Sequence, residues 1–338
     1  MTITAKEIYK TVATLGMTRA QVRALLPSWW DPAYEIESNG AIERGLHVSR
    51  RLNLDLGALM AGRAKPKGAL FNVAYKHRAD VAPDKLIASS LISSSLAEAI
   101  IAALEAPYRA LPSTPGALRA AAAHIGYDQL GFDALLALCW AHGVPVIPLP
   151  NLPVGMRKMD GAALNIADRP AIIIAKRKHS RAWLSFILAH EMAHIALGHV
   201  ASGSSIIDVS LQDSATYATE SSTDNQEREA DEFALAALGG PALDAEVSNW
   251  STRMAPVAMA VAARALTNRL NVEPGHAILR YAFQNKRWAE ASQALRFLSE
   301  DLDPQAALLK HLQSNIQLES IADDLQDLVA QVTGIVQG

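Results

Sequence analysis

Hydrophobic positions recur at helical spacing along most of the chain, and the breaks fall at Gly, Pro and Ser/Thr clusters. Residues 3–15 and 18–26 read as two helices separated by Gly16-Met17, with Thr18 as an N-cap. Leu26-Pro27-Ser28-Trp29-Trp30-Asp31-Pro32 interrupts the pattern, and helices resume over 42–52 and 54–60. The Trp29-Trp30 pair reads as a core plug, since no Lys or Arg is interleaved with it. A long apolar helix is expected over 84–104. Three prolines and a glycine within 106–116 mark the best domain boundary.

Beyond that boundary the pattern changes. Residues 117–125 and 132–142 read as helices, and 144–149, 160–167 and 170–176 as strands. Ala171-Ile172-Ile173-Ile174-Ala175 has the composition of a buried strand, and Ala167-Asp168-Arg169-Pro170 that of a hairpin turn. A helix follows from Ser180 to Leu197 and stops at Gly198. Residues 203–223 are polar and read as a surface loop. The next helix, 224–238, has Thr223 or Asp224 as N-cap and ends at Gly239-Gly240-Pro241. Helices over 256–270, 276–283 and 287–298 form a tail. An acidic helix over 303–332 suits packing or an oligomer contact.

The expected fold is α+β and mainly helical, with a small antiparallel sheet. An all-α N-terminal domain (1–65) comes first, then a linker and connecting helix (66–112). The main domain spans 113–285, and a helical extension spans 286–338.

Composition narrows the function classes. The chain has 338 residues, 50% hydrophobic and 19% charged, which is globular and long enough for a large core. The net charge of −3 hides an asymmetry. Residues 1–78 hold twelve Lys/Arg against six Asp/Glu. Two short helices around a glycine turn, with that basic excess, resemble a helix-turn-helix, which makes DNA a candidate partner through residues 1–78. A single cysteine, Cys139, excludes an intramolecular disulfide and a Cys-rich zinc site, and it reads as a core residue. The N-terminus lacks a signal pattern. The stretch 86–104 carries five serines and Glu98, so it reads as buried rather than membrane-spanning. A soluble cytoplasmic protein with no membrane partner is expected.

The chemistry lies in the helix over 180–197. His190-Glu191-Met192-Ala193-His194 is an H-E-x-x-H pattern, which sets two zinc-binding imidazoles and a general base on one helix. At about 100° per residue, His190 and His194 lie roughly 40° apart on one face, with Glu191 beside them. A catalytic zinc needs a third protein ligand and keeps a position for water. His199 follows His194 by only five residues and, on a continued helix, would lie about 180° from His190. It therefore reads as a second-shell, capping or surface residue. The better source is Asn225-Gln226-Glu227-Arg228-Glu229-Ala230-Asp231-Glu232-Phe233-Ala234. Glu227 and Asp231 share a face with the small Ala230 and Ala234. Glu227 would complete the metal site, and Asp231 would hold a ligating imidazole by its other nitrogen. Glu229 faces elsewhere. Substrate could pair on an exposed strand edge near 171–176. Tyr217, His276 and Tyr281 are candidate oxyanion stabilisers by residue type and position alone.

These residues carry a resemblance. Val144-Pro145-Val146-Ile147, the 171–175 strand, the 186–194 stretch with H-E-x-x-H, and Glu227 to Ala234 are similar to the metallopeptidase domain of the ImmA/IrrE family. The resemblance implies a zincin-like fold, Zn2+ held by His190, His194 and Glu227, and Glu191 as base. It implies a peptidase acting on a helix-turn-helix repressor and so controlling gene expression. A homodimer is compatible with it. The alternative is a regulator or antitoxin-like protein whose N-terminal helices bind DNA and whose zincin domain senses or binds a partner.

Overall fold

Ala167 and Asp168 both adopt positive φ, 50° and 64°, and this tight turn joins two strands at the middle of the molecule. They are β3 (Gly161–Ile166) and β4 (Arg169–Ile174), paired antiparallel from Gly161↔Ile174 to Ile166↔Arg169. The computed structural model describes residues 4–31, 33, 40–67, 72–76, 86–156, 159–175, 180–208, 222–298 and 303–335. Among these, five strands form one sheet in the order β1-β5-β3-β4-β2, with β1 Asn72–Lys76, β2 Val146–Pro148 and β5 Ser204–Asp208.

The sheet is mixed, where the sequence suggested an antiparallel one. β2 runs parallel to β4 and β1 parallel to β5, while β3 is antiparallel to both its neighbours. Helix α8 (Arg181–Ala196) carries the chain from β4 across to β5 on the far side of β3, so both lie antiparallel to β3; the parallel pairs arise because β2 and β1 add outside β4 and β5 in the direction of those neighbours. Strands joined by such a helical crossover run in the same direction. A second correction concerns the edge proposed near 171–176. β4 is an interior strand, hydrogen-bonded to β3 on one side and to β2 on the other. Residues 172–174, within the stretch expected to present an edge, are bonded on both sides.

Both faces of the sheet are covered, which is why its strands read as unbroken apolar runs. On one face Val146, Ile172 and Ile174 meet a helical layer. That layer holds α7 (Phe132–Ala141), α8, α9 (Ser222–Leu238), α11 (Pro256–Leu270), α12 (Pro274–Asn285) and α13 (Trp288–Arg296). On the other face Ile147, Ala162, Leu164, Ala171 and Ile173 pack with α5 (Ile87–Ala103) and the N-terminal helices. The latter are α1 (Ala5–Ala13), α2 (Arg19–Arg23), α3 (Gly40–Arg51) and α4 (Leu56–Met60). Helix α6 (Pro115–His124) packs on α9.

The five serines of α5 are buried. Ser89 and Ser90 donate to the Leu86 carbonyl at 3.0 and 2.7 Å, and Ser93 donates to Ser89 at 2.8 Å. Bonding back along their own helix satisfies these hydroxyls without water. No helix among the described residues is long and apolar enough to cross a membrane.

The N-terminal helices are tied inward. Thr18 caps α2 as expected, with a reciprocal bond pair to Gln21. Helix α2 is only five residues long, and Gln21 Nε2 donates to the Val154 carbonyl at 3.1 Å. Arg44 is buried between the rings of Tyr9 and Trp30, at 5.0 and 5.2 Å. Arg51 is buried as well. Part of the basic excess of residues 1–78 is therefore internal. Trp30 is half-buried and plugs this corner, but Trp29 is 60% exposed.

Several elements differ from the sequence reading. The loop expected over 203–223 contains β5, and residues 209–221 lie outside the described residues. Pro241 opens α10 (Gly240–Ser248) instead of only ending α9, because proline suits the first turn of a helix. The expected helix over 303–332 is two, α14 (Pro304–Asn315) and α15 (Asp323–Thr333). Leu328, Val329 and Val332 of α15 are buried in the same core as the N-terminal helices, so α15 is a packing helix within the chain.

Candidate metal and catalytic centre

Helix α8 begins where the Ser180 hydroxyl accepts the Trp183 N–H, and its residues 181–194 are all buried. Such a helix is apolar nearly all round because layers surround it. Its end shapes the site. Gly198 takes φ of 73°, the His199 N–H donates to the His194 carbonyl at 2.9 Å, and the Gly198 N–H donates to Ile195 at 3.1 Å. This pair of bonds is a Schellman motif. It turns the chain back, so His199 never occupies the helical position 180° from His190.

The second element is α9, which packs closely on α8 through Ala230 and Ala234, both fully buried. Small side chains on that face bring Glu227 onto the two histidines. His190 Nε2 and His194 Nε2 are 3.0 Å apart. Glu227 Oε2 lies 3.4 Å from His190 Nε2, and its Oε1 lies 3.3 Å from His194 Nε2. One ligand atom from each of these three residues falls within 4.8 Å of the others, so the group could hold a metal ion. His190, Glu191 and His194 have no exposed surface and Glu227 is 3% exposed. Two carboxylates taken out of water this completely need a compensating positive charge. A metal ion, which this group could hold, would supply it.

The outer nitrogens are held too. His190 Nδ1 donates to Asp231 Oδ1 at 2.9 Å, which leaves the Nε2 lone pair turned toward the cluster. His194 Nδ1 bonds His199 Nδ1 at 3.0 Å, and His199 Nε2 bonds Glu229 Oε2 at 3.1 Å. With the Nε2 proton of His199 on the Glu229 carboxylate, its Nδ1 accepts from His194 Nδ1–H. Both histidines are thereby held in the tautomer that would leave Nε2 free to bind a metal. Glu229, expected to face away, does so with respect to the cluster, yet it reaches the site through His199.

Glu191 lies against β3. A Cβ built on Gly161 would strike the Glu191 carboxylate, with Cδ at 2.9 Å and Ile187 Cγ2 at 3.0 Å. Only glycine leaves this room. The sequence reading missed Gly161, because no local pattern announces contact between a strand start and a helix thirty residues on. Phe186 meets His190 in a tilted ring contact at 6.1 Å and in turn meets Phe283 at 4.9 Å. This apolar wall continues through Trp183 and Trp288.

The other candidates are committed elsewhere. The Tyr281 hydroxyl accepts the Met254 N–H at 3.0 Å, within the helical tail. His276 Nδ1 donates to the Leu238 carbonyl at 3.2 Å, and burial pushes its pKa down to about 4. Tyr217 lies outside the described residues. Cys139 is fully buried in the core beside α8, where burial pushes its thiol pKa up, so it is no nucleophile.

No curated protein matches the chain. Residues 181–276 match the family model of Peptidase U49, a stretch that opens with the first residue of α8 and encloses His190, Glu191, His194, Glu227 and Asp231. The chain is similar to that family over this segment, and the match supports a peptidase whose buried His-His-Glu group could hold a metal ion.

Proposed function

We propose that the chain is a zinc-dependent endopeptidase of ImmA/IrrE type that cleaves a regulatory protein, of helix-turn-helix repressor kind, and so controls gene expression. One observation carries this reading: His190, His194 and Glu227 converge next to Glu191, and the outer nitrogens of the two histidines are already bonded. The separations of 3.0, 3.3 and 3.4 Å suit zinc. Tetrahedral bonds of about 2.0–2.1 Å place neighbouring ligand atoms roughly 3.3 Å apart. The peptidase family match and the resemblance of the two helices to ImmA/IrrE proteins support the same reading.

In this mechanism His190, His194 and Glu227 would hold the ion, which would lower the pKa of a nearby water toward neutrality and polarise the scissile carbonyl. Glu191 takes the proton of the attacking water and delivers it to the leaving amine. Gly161 leaves its carboxylate room to stand there. Asp231 and His199 keep the two imidazoles from rotating. The buried aromatic wall keeps bulk water from His190.

The test is metal content and cleavage together. The purified protein should carry about one zinc per chain. His190→Ala should lose the metal, while Glu191→Ala should keep it and lose cleavage of the protein encoded next to it. Retention of zinc by His190→Ala, or cleavage by Glu191→Ala at the wild-type rate, would sink the proposal.

A further inference from the structure

A peptidase must bring an extended main chain alongside its base and its metal ligands. Here the strand in contact with the base is β3, through Gly161 against Glu191. Extended polypeptides dock most readily by adding to a strand edge. The inner edge of β3 is bonded to β4. Its outer edge is bonded to β5, in antiparallel register with Asp208 opposite Gly161, Ile207 opposite Ala162, Ile206 opposite Ala163 and Ser205 opposite Leu164.

The side chains of β5 complete the closure. Ile206 is buried with Ala163 and Val200, and Ile195, the residue after His194, packs against that group. Ile207 is buried on the opposite face among the N-terminal helices. Only Val200, Ala201, Ser202 and Gly203 separate His199 from β5, so this strand lies over the end of the metal helix. Outside it, β1 pairs in parallel and covers the β5 edge. All four residues of the centre are at most 3% exposed.

We infer that β5 occupies the place of the substrate main chain, antiparallel to β3, and that the fold described here is a closed form. The inference rests on the peptidase reading and adds its regulation: β5 must leave β3 before a polypeptide can reach Glu191. A substrate taking that place meets the surfaces that Ile206 and Ile207 now fill. It is therefore an extended segment carrying two successive aliphatic residues, one turned toward α8 and one toward the N-terminal core.

Residues 163 and 206 face each other across the antiparallel pair. Opposed residues there have Cα atoms about 4.5–5.5 Å apart, within disulfide range. The zinc-loaded A163C/I206C chain is compared oxidised and reduced. Two rates are read: removal of zinc by a chelator, and Glu191-dependent cleavage of an unfolded, cysteine-free polypeptide. Each should be at least about tenfold slower in the oxidised form, as expected when the open state is a minor population. Equal zinc-removal rates, or equal non-zero cleavage rates, overturn the inference. Slow zinc removal on oxidation with no cleavage in either form instead sinks the peptidase reading and leaves β5 as the cover. Ile206→Ser, which only loosens the strand, should raise zinc removal above that of the wild type, and a rate no faster than wild type also overturns the inference.

Discussion

Gly161 and Glu191 share one space. A side chain at 161 would take the room of the Glu191 carboxylate, and Ile187 Cγ2, at 3.0 Å, closes the other side. The carboxylate is the mobile end of a flexible side chain, so it yields before the backbone does. Gly161→Ala should therefore unfold only slightly more easily than the wild type and keep its metal. Its cleavage rate should fall about 100-fold, the usual cost of moving a reacting group by about 1 Å. Turnover measured alongside metal content checks this. Wild-type turnover in Gly161→Ala would remove Glu191 from the base role at this position.

His199 reaches the candidate metal group only through His194. Its ring bonds His194 at 3.0 Å and Glu229 at 3.1 Å. His199→Ala should keep the fold and weaken metal binding about 10- to 100-fold, as loss of such supporting bonds does. Asp231→Ala should do the same through His190. Chelator competition gives the affinity. At saturating metal both variants should recover most of their cleavage, because Glu191 is untouched; failure to recover would assign His199 a more direct part.

The group that could hold a metal ion was legible in the sequence because it obeys helical spacing. His190 and His194 lie four apart, as do Glu227 and Asp231, and alanines mark the face where α9 approaches α8. What escaped depends on contacts that no short window holds. Gly161 matters only because β3 starts against α8. That His199 is not a ligand followed from its spacing, but its contact with His194 depends on the turn at Gly198, which returns the chain to the helix end. Strand β5 was hidden in a polar stretch, since Ser-Ser-Ile-Ile-Asp is too short to show alternation and owes its pairing to β3. The sheet is mixed because β2 and β1 add in parallel outside β4 and β5, an order that sequence spacing does not report. The split between α14 and α15 follows from Ile316, which caps α14 in an extended conformation.

His276 predicts a pH dependence of stability. It is fully buried, and burial lowers its pKa from 6.5 to about 4 in the folded chain. The folded state then binds the proton less readily than the unfolded one. Its contribution to stability is complete above about pH 6.5 and is lost as pH falls toward 4, about 3 kcal/mol in all. Glu273, whose pKa burial raises, works in the opposite sense and offsets part of this. His276→Asn can still donate to the Leu238 carbonyl and does not titrate. Urea unfolding of both proteins between pH 7 and 4 should show a shallower loss in the variant, with the metal ligands common to both. Identical slopes would mean that His276 stays protonated inside.

Arg51 predicts how the chain's two ends depend on each other. It has no exposed surface and donates to the Leu25 carbonyl at 2.6 Å, the Asp324 carbonyl at 2.6 Å and Asp327 Oδ2 at 3.2 Å. One guanidinium thus ties α3 to the end of the second helical turn and to α15. Its neighbour Arg50 also pairs with Asp324, at 2.8 Å, but its side chain is half exposed. Arg51→Met would leave buried carbonyls without their donor, at about 1–3 kcal/mol for each group left unmet. Arg50→Ala would remove an exposed pair of less than about 1 kcal/mol. Chemical denaturation should separate the two variants by roughly 2 kcal/mol, and added salt should not close the gap, because the buried bonds are shielded from screening. If Arg50→Ala proved as costly as Arg51→Met, the tie between α3 and α15 would be one of surface charge, not of buried hydrogen bonds.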